Sequence, residues 1–379
     1  MFKVLLTFIF IRPFISSLAF PYLNSLYSAL FLIFLIIWLI YKGISIRKIQ
    51  PLKYPLALFC LALIIAVVFS IDKLNSLKEL YKYISGILLF LIVASLTYEN
   101  KIRLIHTIIL AGFIISLLAI YQYFFGSQHI LDYMFKEKVS DPFALDYIQR
   151  RRAFFPFVTP NTLAGYFIMI IPLTLIHKNR FWLILPLSFA FLLTKSLGAL
   201  LSFFLALVIY FHLQGKLERK RVVFLFGLLV IVGLVFMARA TTQKQHLQPI
   251  FSAVMRLNYW KDTLRIIKAR PLTGVGLGNF NLTLSRYAHN SYLQIWTEMG
   301  ISGIISILWL IIVVFKSAVK NIKVSLNKSL MAGLITANAS FLIHNLVDFG
   351  FFLPEVAFIW WVILGLSYAL TTIDFSKNP

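Results

Sequence analysis

Apolar segments long enough to cross a membrane recur along the whole 379-residue chain, and they restrict its possible folds more than any other feature. A transmembrane helix needs ~20 mainly apolar residues. Apolar residues make up 60% of this chain, against ~45–50% in soluble domains. The segments are continuous, whereas the strands of a β-barrel alternate between apolar and polar residues. The sequence therefore predicts an all-α, polytopic integral membrane protein.

We expect about twelve transmembrane helices. One lies at the N-terminus, and the other eleven span residues 24–41, 55–71, 83–97, 104–125, 157–176, 181–194, 197–213, 222–238, 291–315, 329–346 and 355–373. Except for the loop before His289, the gaps between them are too short for a soluble domain of ~50 residues with its own core. We therefore predict a single transmembrane domain over residues 1–379. Arg12 and Pro13 interrupt the first apolar run, which favours a retained first helix over a cleaved signal peptide.

The formal net charge of +23 would suggest a nucleic-acid partner in a soluble protein. In a membrane protein, short basic loops stay cytoplasmic and their cations meet anionic headgroups. We therefore expect membrane lipids, and no nucleic acid, as partners. Alternating the sides of the membrane places both termini in the cytoplasm and places loops 72–82, 126–156, 239–290 and 347–354 on the outer side.

Two of these outer loops are basic, against the usual rule. Loop 126–156 carries Arg150, Arg151 and Arg152. Loop 239–290 sets one acid, Asp262, against eight cations, which are Arg239, Lys244, Arg256, Lys261, Arg265, Lys268, Arg270 and Arg286. This excess of positive charge predicts a site for an anionic ligand on the outer face. Binding of lipid headgroups is the alternative.

Within loop 239–290, the spacing predicts an amphipathic helix over residues 256–270, ended by Pro271. One face is apolar and the other carries Lys261, Arg265 and Lys268; the apolar residues are Leu257, Trp260, Leu264 and Ile267. Such a helix should lie in the membrane interface with its cations toward a cavity or water. Simple anchoring at the surface is the alternative, and Trp260 fits either interpretation.

The polar residues that follow are candidates for chemistry. The run Gly274-Val-Gly-Leu-Gly278 is a weak match to a phosphate loop, and close backbone packing explains its glycines better. His289 lies at the start of the next apolar helix, beside an N-cap formed by Asn290 or Ser291. A helix N-terminus keeps an imidazole neutral, so His289 is a candidate general base, with a structural role as the alternative.

Three further polar residues lie in or beside apolar helices. Glu298 is an intramembrane acid and therefore a functional candidate; its alternative role is pairing with a buried cation such as Arg12. His344 and Asp348 are four residues apart and could pair on one helical face or cap the helix. The sequence shows no metal-ligand spacing, so we expect no metal and no cofactor. Arginine would then neutralise any phosphate leaving group.

Several of these residues match the O-antigen ligase/polymerase family of membrane glycosyltransferases. The chain resembles that family in Arg256-x-x-x-Trp260, in Pro271-Leu-x-Gly-x-Gly-x-Gly-Asn-Phe280, and in His289-Asn-x-Tyr-Leu with Glu298-x-Gly-x-x-Gly303. Asn161-Thr-Leu-Ala-Gly165 and His344-x-x-x-Asp348 resemble further elements of the family. The resemblance covers roughly residues 150–370, and the first five helices match only in hydrophobicity.

This resemblance implies an activity. Family members transfer a glycan from undecaprenyl diphosphate to lipid A–core or to another glycan, on the periplasmic face of the bacterial inner membrane and without a metal. His289 would deprotonate the acceptor hydroxyl, Arg256 would bind the donor diphosphate, and loop 239–290 would be the periplasmic catalytic loop. Arg265 is a further candidate for the diphosphate, and Asn290, Glu298, Trp260, His344 and Asp348 would support the site.

The chain departs from the family at one arginine. The family often has a Ser-Arg-Gly element whose arginine also contacts the diphosphate, and here Leu197 occupies that position. Lys195, Arg151 or Arg152 would have to replace it. Within the family, a ligase, a polymerase and a protein O-oligosaccharyltransferase share these residues, and we favour the ligase. A transporter or flippase for lipid-linked glycans is the alternative from another class.

Overall fold

A computed structural model gives the structure of the chain and describes residues 1–44, 50–138, 142–176, 181–215, 218–242, 251–283, 285–322 and 327–369. These residues form α-helices joined by turns, with no strand among them, which confirms the all-α prediction for the described part of the chain. The α-helices there are α1 (Phe2–Ile11), α2 (Pro21–Lys42), α3 (Lys53–Val68), α4 (Lys73–Ser95), α5 (Tyr98–Tyr121), α6 (Ser127–Lys136), α7 (Pro142–Gln149), α8 (Pro160–Leu173), α9 (Phe181–Leu193), α10 (Leu197–Leu213), α11 (Arg219–Thr242), α12 (Phe251–Ala269), α13 (Ser291–Asn321), α14 (Lys328–His344) and α15 (Pro354–Ala369).

The helices are consistent with a multi-pass membrane protein. Among the described residues, five helical segments are long and apolar enough to cross a membrane: Pro21–Lys42, Gln50–Val68, Tyr98–Lys136, Arg219–Met237 and Ser291–Lys320. Each of the eleven predicted spans from 24–41 onward overlaps a helix. The total of twelve spans and the sides on which loops and termini lie stay predictions.

The N-terminal helix is short. It ends at Ile11, and a 3₁₀ turn follows over Arg12–Phe14, where the sequence places its interruption. The side chain of Arg12 is fully buried and donates to Oδ1 of Asn24 at 2.9 Å. A polar partner of this kind offsets part of the cost of burying the guanidinium.

Two segments predicted as outer loops contain helix. Residues 73–82 are the first turns of α4, whose N-cap Asp72 accepts a hydrogen bond from the backbone N–H of Asn75 at 3.0 Å. In loop 126–156, α5 continues through a π-helical turn over Gln122–Gly126 into α6, and α7 follows. Charged residues interrupt the apolar runs in these segments, so hydrophobicity alone does not predict the helices there. Lys and Glu are nevertheless good helix formers.

Contacts along the chain separate two compact units, each made of three segments. The first comprises Met1–Ser25, Ile102–Phe251 and Ala332–His344; the second comprises Leu26–Lys101, Ser252–Met331 and Asn345–Pro379. In the first unit, α8 is buried along nearly its whole length. In the second, α4 packs on α15 and α3 packs on α13. The single-domain prediction stays a prediction.

Helix α13 in the second unit breaks at Gly300, whose backbone has φ 66° and ψ −171°. This region of backbone conformation is open only to glycine. A Cβ atom at this position would lie 1.9 Å from the carbonyl oxygen of Leu272. The break therefore allows the segment after α12 to approach the backbone of α13.

Gly300→Ala should unfold more easily than the unaltered chain, because the alanine backbone alone would cost about 1–3 kcal/mol there and its Cβ would clash with Leu272. Thermal unfolding in detergent would measure the change. Gly233→Ala is the control, because nothing lies within 4 Å of a Cβ at that helical position. Equal melting temperatures for the two variants would contradict the assigned role of Gly300.

Candidate active site

Helix α12 carries the candidate arginines. It begins at Phe251, five residues before the predicted start, and ends at Ala269 as Pro271 predicts. Its buried face contains Thr263 and Ile267, with half-buried Arg256 and Tyr259 in line with them. The predicted apolar face is partly wrong, because Leu257 and Leu264 are 51% and 42% exposed. Contact of these two side chains with lipid stays a prediction.

Trp260 lies beside this buried face of α12. Its side chain is half-buried, and its indole Nε1 is buried without a hydrogen-bond partner among the described residues. A tryptophan at a membrane interface usually directs its N–H toward water or a polar partner. Trp260 is thus packed into the protein, and anchoring at the membrane surface does not describe its whole environment.

His289 precedes α13 and takes a left-handed backbone conformation, with φ 51°. Asn290 is the N-cap of α13, because its Oδ1 accepts hydrogen bonds from the backbone N–H groups of Tyr292 at 3.0 Å and Leu293 at 3.1 Å. This confirms one of the two predicted caps. Ser291 has another partner: its hydroxyl donates to Oδ1 of Asn345 at 2.6 Å.

The segment after α14 is thereby joined to the start of α13. The backbone N–H of Ser291 donates to the carbonyl oxygen of Asn345 at 2.9 Å, and its hydroxyl lies 3.1 Å from the carbonyl oxygen of Asp348. These bonds bring Asp348 and Phe349 to the neighbourhood of His289, although some 60 positions separate them in sequence. Asp348 is buried.

Aromatic rings enclose the imidazole of His289. The ring of Tyr259 stacks on it with centroids 5.6 Å apart and an angle of 20°, and the ring of Phe349 meets it edge-on at 4.9 Å. The Nδ1 atom is buried and has no hydrogen-bond partner among the described residues. Aromatic packing, and not a hydrogen bond to Nδ1, therefore orients the ring there.

Burial lowers the pKa of the His289 imidazole from its usual 6.5 to about 4. The nearby carboxylate of Asp348 opposes this shift, and the positive charge of Arg256 adds to it. Burial also lowers the pKa of the Arg256 guanidinium, again opposed by Asp348. His289 is therefore neutral at pH 7 beside an arginine that keeps its charge, and Arg256, His289 and Asp348 form one electrostatic group.

Glu298 links this group to the glycine-rich turn. It is buried, and its carboxylate accepts hydrogen bonds from the backbone N–H of Gly278 at 2.8 Å and from Nε2 of Gln294 at 2.9 Å. Gln294 in turn accepts from the backbone N–H of Ala288, next to His289, at 3.1 Å. Among the described residues, the hydrogen bonds of Glu298 thus come from a side-chain amide and a backbone N–H, and not from a buried cation such as Arg12.

Sequence reasoning missed Gln294. Its only local signal is its position four residues before Glu298, a spacing at which polar side chains on a helix meet. The bond to Ala288 depends on how the chain enters α13, and that path is not encoded in the helical spacing.

The glycine-rich turn uses its own backbone donors. The N–H groups of Val275 and Gly276 donate to the carbonyl oxygens of Thr297 at 2.8 Å and Glu298 at 3.1 Å, which the break at Gly300 makes accessible. Gly274 and Asn279 donate to other backbone carbonyls, and Gly278 donates to Glu298. The weaker alternative, a phosphate loop, is therefore wrong, and close backbone packing is confirmed.

The other side of this turn is fixed to the start of α4. Asn75 donates to the carbonyl oxygen of Gly278 at 2.8 Å and to Oδ1 of Asn279 at 2.9 Å. Ser76 donates to the carbonyl oxygen of Leu277 at 3.0 Å. These residues come from a part of the chain where the family resemblance shows only hydrophobicity, so the sequence offered no signal for them.

Arg265 lies apart from the His289 group. Arg265 is nine residues from Arg256 on α12, which is two and a half turns at about 3.6 residues per turn. It lies on the exposed side, where it pairs with Asp262 at 2.8 Å. The eight-residue stretch 243–250, which includes Lys244, and the side chain of Arg239 lie outside the described residues.

Arg151, Arg152 and Lys195 belong to the first unit. Arg152 is buried; its Nε donates to the carbonyl oxygen of Thr194 at 2.8 Å and its Nη2 to Oδ1 of Asn161 at 3.1 Å. Lys195 donates to the carbonyl oxygen of Arg150 at 3.2 Å. These bonds give both side chains structural partners, whereas the side chain of Arg151 is exposed.

His344 is the last residue of α14 and is buried. A Cβ atom at Gly165 would lie 3.1 Å from its Nδ1, so the absence of a side chain at Gly165 makes room for the imidazole. Because the helix ends at His344, Asp348 lies past its end. The expected placement of both residues on one helical face is therefore wrong, and their pairing stays a prediction.

No group of three or more His, Cys, Asp or Glu side chains gathers as a metal site within the part of the chain that the structure describes. The candidate site there consists of an imidazole, a guanidinium and one carboxylate. This set can exchange a proton and neutralise an anion.

Arg152→Gln should destabilise the protein by about 1.5–3 kcal/mol, because it removes a buried charged donor from two acceptors. Arg151→Gln is the matched control, since it removes an exposed guanidinium one residue away. Thermal unfolding in detergent would compare them. If Arg152→Gln has the same melting temperature as Arg151→Gln and the unaltered chain, Arg152 does not have the structural role assigned to it.

Comparison with known proteins supports a family assignment. A family model described as O-Antigen ligase matches residues 181–308, which are 128 of the 379 residues. The matched region contains Lys195, Arg256, Arg265, His289 and Glu298, while Arg151, Arg152, His344 and Asp348 lie outside it. No curated protein matches the chain. The match supports membrane glycan processing of the ligase or polymerase kind. It also confirms, over residues 181–308, the resemblance of the chain to the O-antigen ligase/polymerase family.

Proposed function

We propose that this chain is a glycosyltransferase that moves a glycan from undecaprenyl diphosphate to a lipid A–core acceptor on the periplasmic face of the inner membrane. The observation that supports this most is the neutral imidazole of His289 beside the guanidinium of Arg256. A base and a leaving-group cation in one group are what transfer from a diphosphate donor requires.

The proposed reaction is a single displacement with inversion at the anomeric carbon. The acceptor hydroxyl oxygen attacks that carbon while His289 removes the hydroxyl proton. The bond from the anomeric carbon to the diphosphate oxygen breaks, and its electron pair leaves with undecaprenyl diphosphate. Because Nδ1 of His289 is buried, Nε2 is the nitrogen available to take the proton.

Arg256 would bind the diphosphate as negative charge develops on the leaving oxygen. A guanidinium in a site removed from water stabilises such charge strongly, and it suits phosphate geometry. Asp348 would moderate both neighbours, because it keeps the pKa of His289 from falling further and favours the charged form of Arg256. In this proposal the reaction needs no metal and no cofactor.

The pH dependence of kcat/KM for glycan transfer tests His289 as the base. The acid limb should have an apparent pKa near 4, because burial keeps the imidazole of His289 neutral above that pH in the enzyme without substrate. Arg256→Gln should move the limb to higher pH, since it removes a cation that lowers the pKa of His289. Asp348→Asn should move the limb to lower pH. A limb near the ordinary histidine value in the unaltered chain would contradict the proposed environment.

Transfer assays in nanodiscs with undecaprenyl-diphosphate glycan, lipid A–core and EDTA test the activity itself. His289→Ala should reduce transfer by about 10²–10⁴-fold, the usual contribution of a general base. Arg256→Gln should reduce it by about 10²–10³-fold, as the loss of a charge-stabilising donor does. Arg103→Gln, which removes an exposed guanidinium from α5, is the control and should transfer normally.

The products of this assay separate the alternatives. Longer lipid-linked glycan without transfer to lipid A–core would indicate a polymerase, and transfer to a protein acceptor would indicate an O-oligosaccharyltransferase. A flippase reconstituted in liposomes would move lipid-linked glycan across the membrane without making either product. If cells with His289→Ala lose glycan export as well as transfer, the transporter hypothesis is favoured over the enzyme.

A further inference from the structure

An apolar groove runs between α3 and α4 in the second unit. Leu63, Ile64 and Val67 line it from α3, and Leu80, Ile84 and Leu88 line it from α4. Its volume is about 380 Å³, within the usual range of ligand pockets. The groove opens outward, since Ile64 is 60% exposed. α3 belongs to a segment that is long and apolar enough to cross a membrane, and we therefore expect the opening to face hydrocarbon.

The length of the groove fits one leaflet of a bilayer. On α3 it extends from Cys60 to Val68, the last residue of the helix, a distance of about 12 Å at ~1.5 Å per residue. One leaflet is about 15 Å thick, half of the ~30 Å hydrocarbon core. The groove thus runs from the middle of a spanning helix to its end. A single hydrocarbon chain that enters from one leaflet would fill it.

The end of the groove at Val68 is polar and positively charged. Nη1 of Arg270 lies 3.5 Å from the carbonyl oxygen of Phe69, the residue after Val68, and the side chain of Arg270 is exposed. Lys73, the first residue of α4, is exposed as well. The acid on this turn, Asp72, uses Oδ1 to cap α4. Glu79, next to Leu80 on α4, pairs with Lys82. Arg270 and Lys73 therefore outnumber the remaining acid, Asp72, and make the mouth of the groove attractive to a phosphate.

We propose that this groove binds one acyl chain of an anionic phospholipid, with the lipid phosphate at Arg270. The isoprenoid chain of an undecaprenyl carrier is far longer than one leaflet, so the length of the groove favours an acyl chain. The proposal does not depend on glycan transfer. It assigns α3 and α4 a lipid partner and places the headgroup beside the glycine-rich turn, whose Val275 carbonyl oxygen accepts from the N–H of Ile71 at 3.0 Å.

The chain's single cysteine provides the test, because Cys60 lines the groove and is exposed. Modification of Cys60 by N-ethylmaleimide would be followed in delipidated, detergent-solubilised protein as phosphatidylglycerol is added. We expect the lipid to slow the reaction. Phosphatidylcholine should need about fivefold more lipid for the same protection, which corresponds to the ~1 kcal/mol of one basic residue near an anionic lipid. Arg270→Gln should abolish that difference.

Two tryptophan substitutions on α3 distinguish the groove from the rest of the helix surface. Ile64→Trp fills the groove and should remove the effect of added lipid on Cys60. Leu61→Trp is the matched control, because Leu61 is exposed on the same helix and does not line the groove. In the unaltered chain, phosphatidylglycerol with a diazirine midway along one acyl chain should crosslink to peptides within 53–68 and 73–95.

Specific results would overturn the proposal. If both phospholipids protect Cys60 equally, and Arg270→Gln changes nothing, the phosphate does not bind at Arg270. If undecaprenyl phosphate protects Cys60 more strongly than phosphatidylglycerol does, the groove binds an isoprenoid chain and not an acyl chain. Crosslinks that map outside α3 and α4 would remove the groove as the binding site, even if the tryptophan variants failed to fold.

Discussion

A helix that breaks inside an apolar environment exposes backbone carbonyls that water cannot reach, and each must find another donor. In α13 the break at Gly300 leaves the carbonyl oxygens of Thr297 and Glu298 to the N–H groups of Val275 and Gly276, while Ile301 donates to the carbonyl oxygen of Pro271 at 3.0 Å. The backbone N–H groups of the glycine-rich turn thus supply the donors that the broken helix lacks. The position of the turn between α12 and α13 depends on this exchange of partners.

The glycine-rich turn also supplies a donor to the buried acid next to the candidate site. The carboxylate of Glu298 accepts from Gly278 on one side and from Gln294 on the other, and Gln294 accepts from Ala288 beside His289. A buried carboxylate is costly without such donors. With them, it ties the turn and the entry to α13 to one point. The geometry around His289 therefore rests on hydrogen bonds several residues away from the imidazole.

The sequence predicted those features that depend on local chemistry. The helix ended by Pro271 and the cap at Asn290 each follow from residues within a few positions. The neutral state of His289 was predicted from the helix N-terminus, but in the structure it comes from burial by residues that are distant in sequence. Features that depend on distant contacts could not be predicted. Asn75 meets Gly278 across 203 positions, and Tyr259 of α12 stacks on His289, a contact that hydrophobic periodicity does not predict. Polar residues also hid the start of α4, because a search for apolar runs does not detect a charged helical turn.

The use of the turn's N–H groups has a consequence for how a diphosphate would be bound. Backbone donors in a glycine-rich loop can neutralise phosphate without any cation, but here the N–H groups of Val275, Gly276 and Gly278 already have acceptors. In the second unit, neutralisation would then fall to side chains, and Arg256 is the guanidinium beside His289. Arg265 lies on the opposite, exposed side of α12 and pairs with Asp262. A diphosphate at His289 would therefore meet a single preplaced guanidinium from α12. The other cations of residues 239–290 would then serve attraction at a distance more than contact.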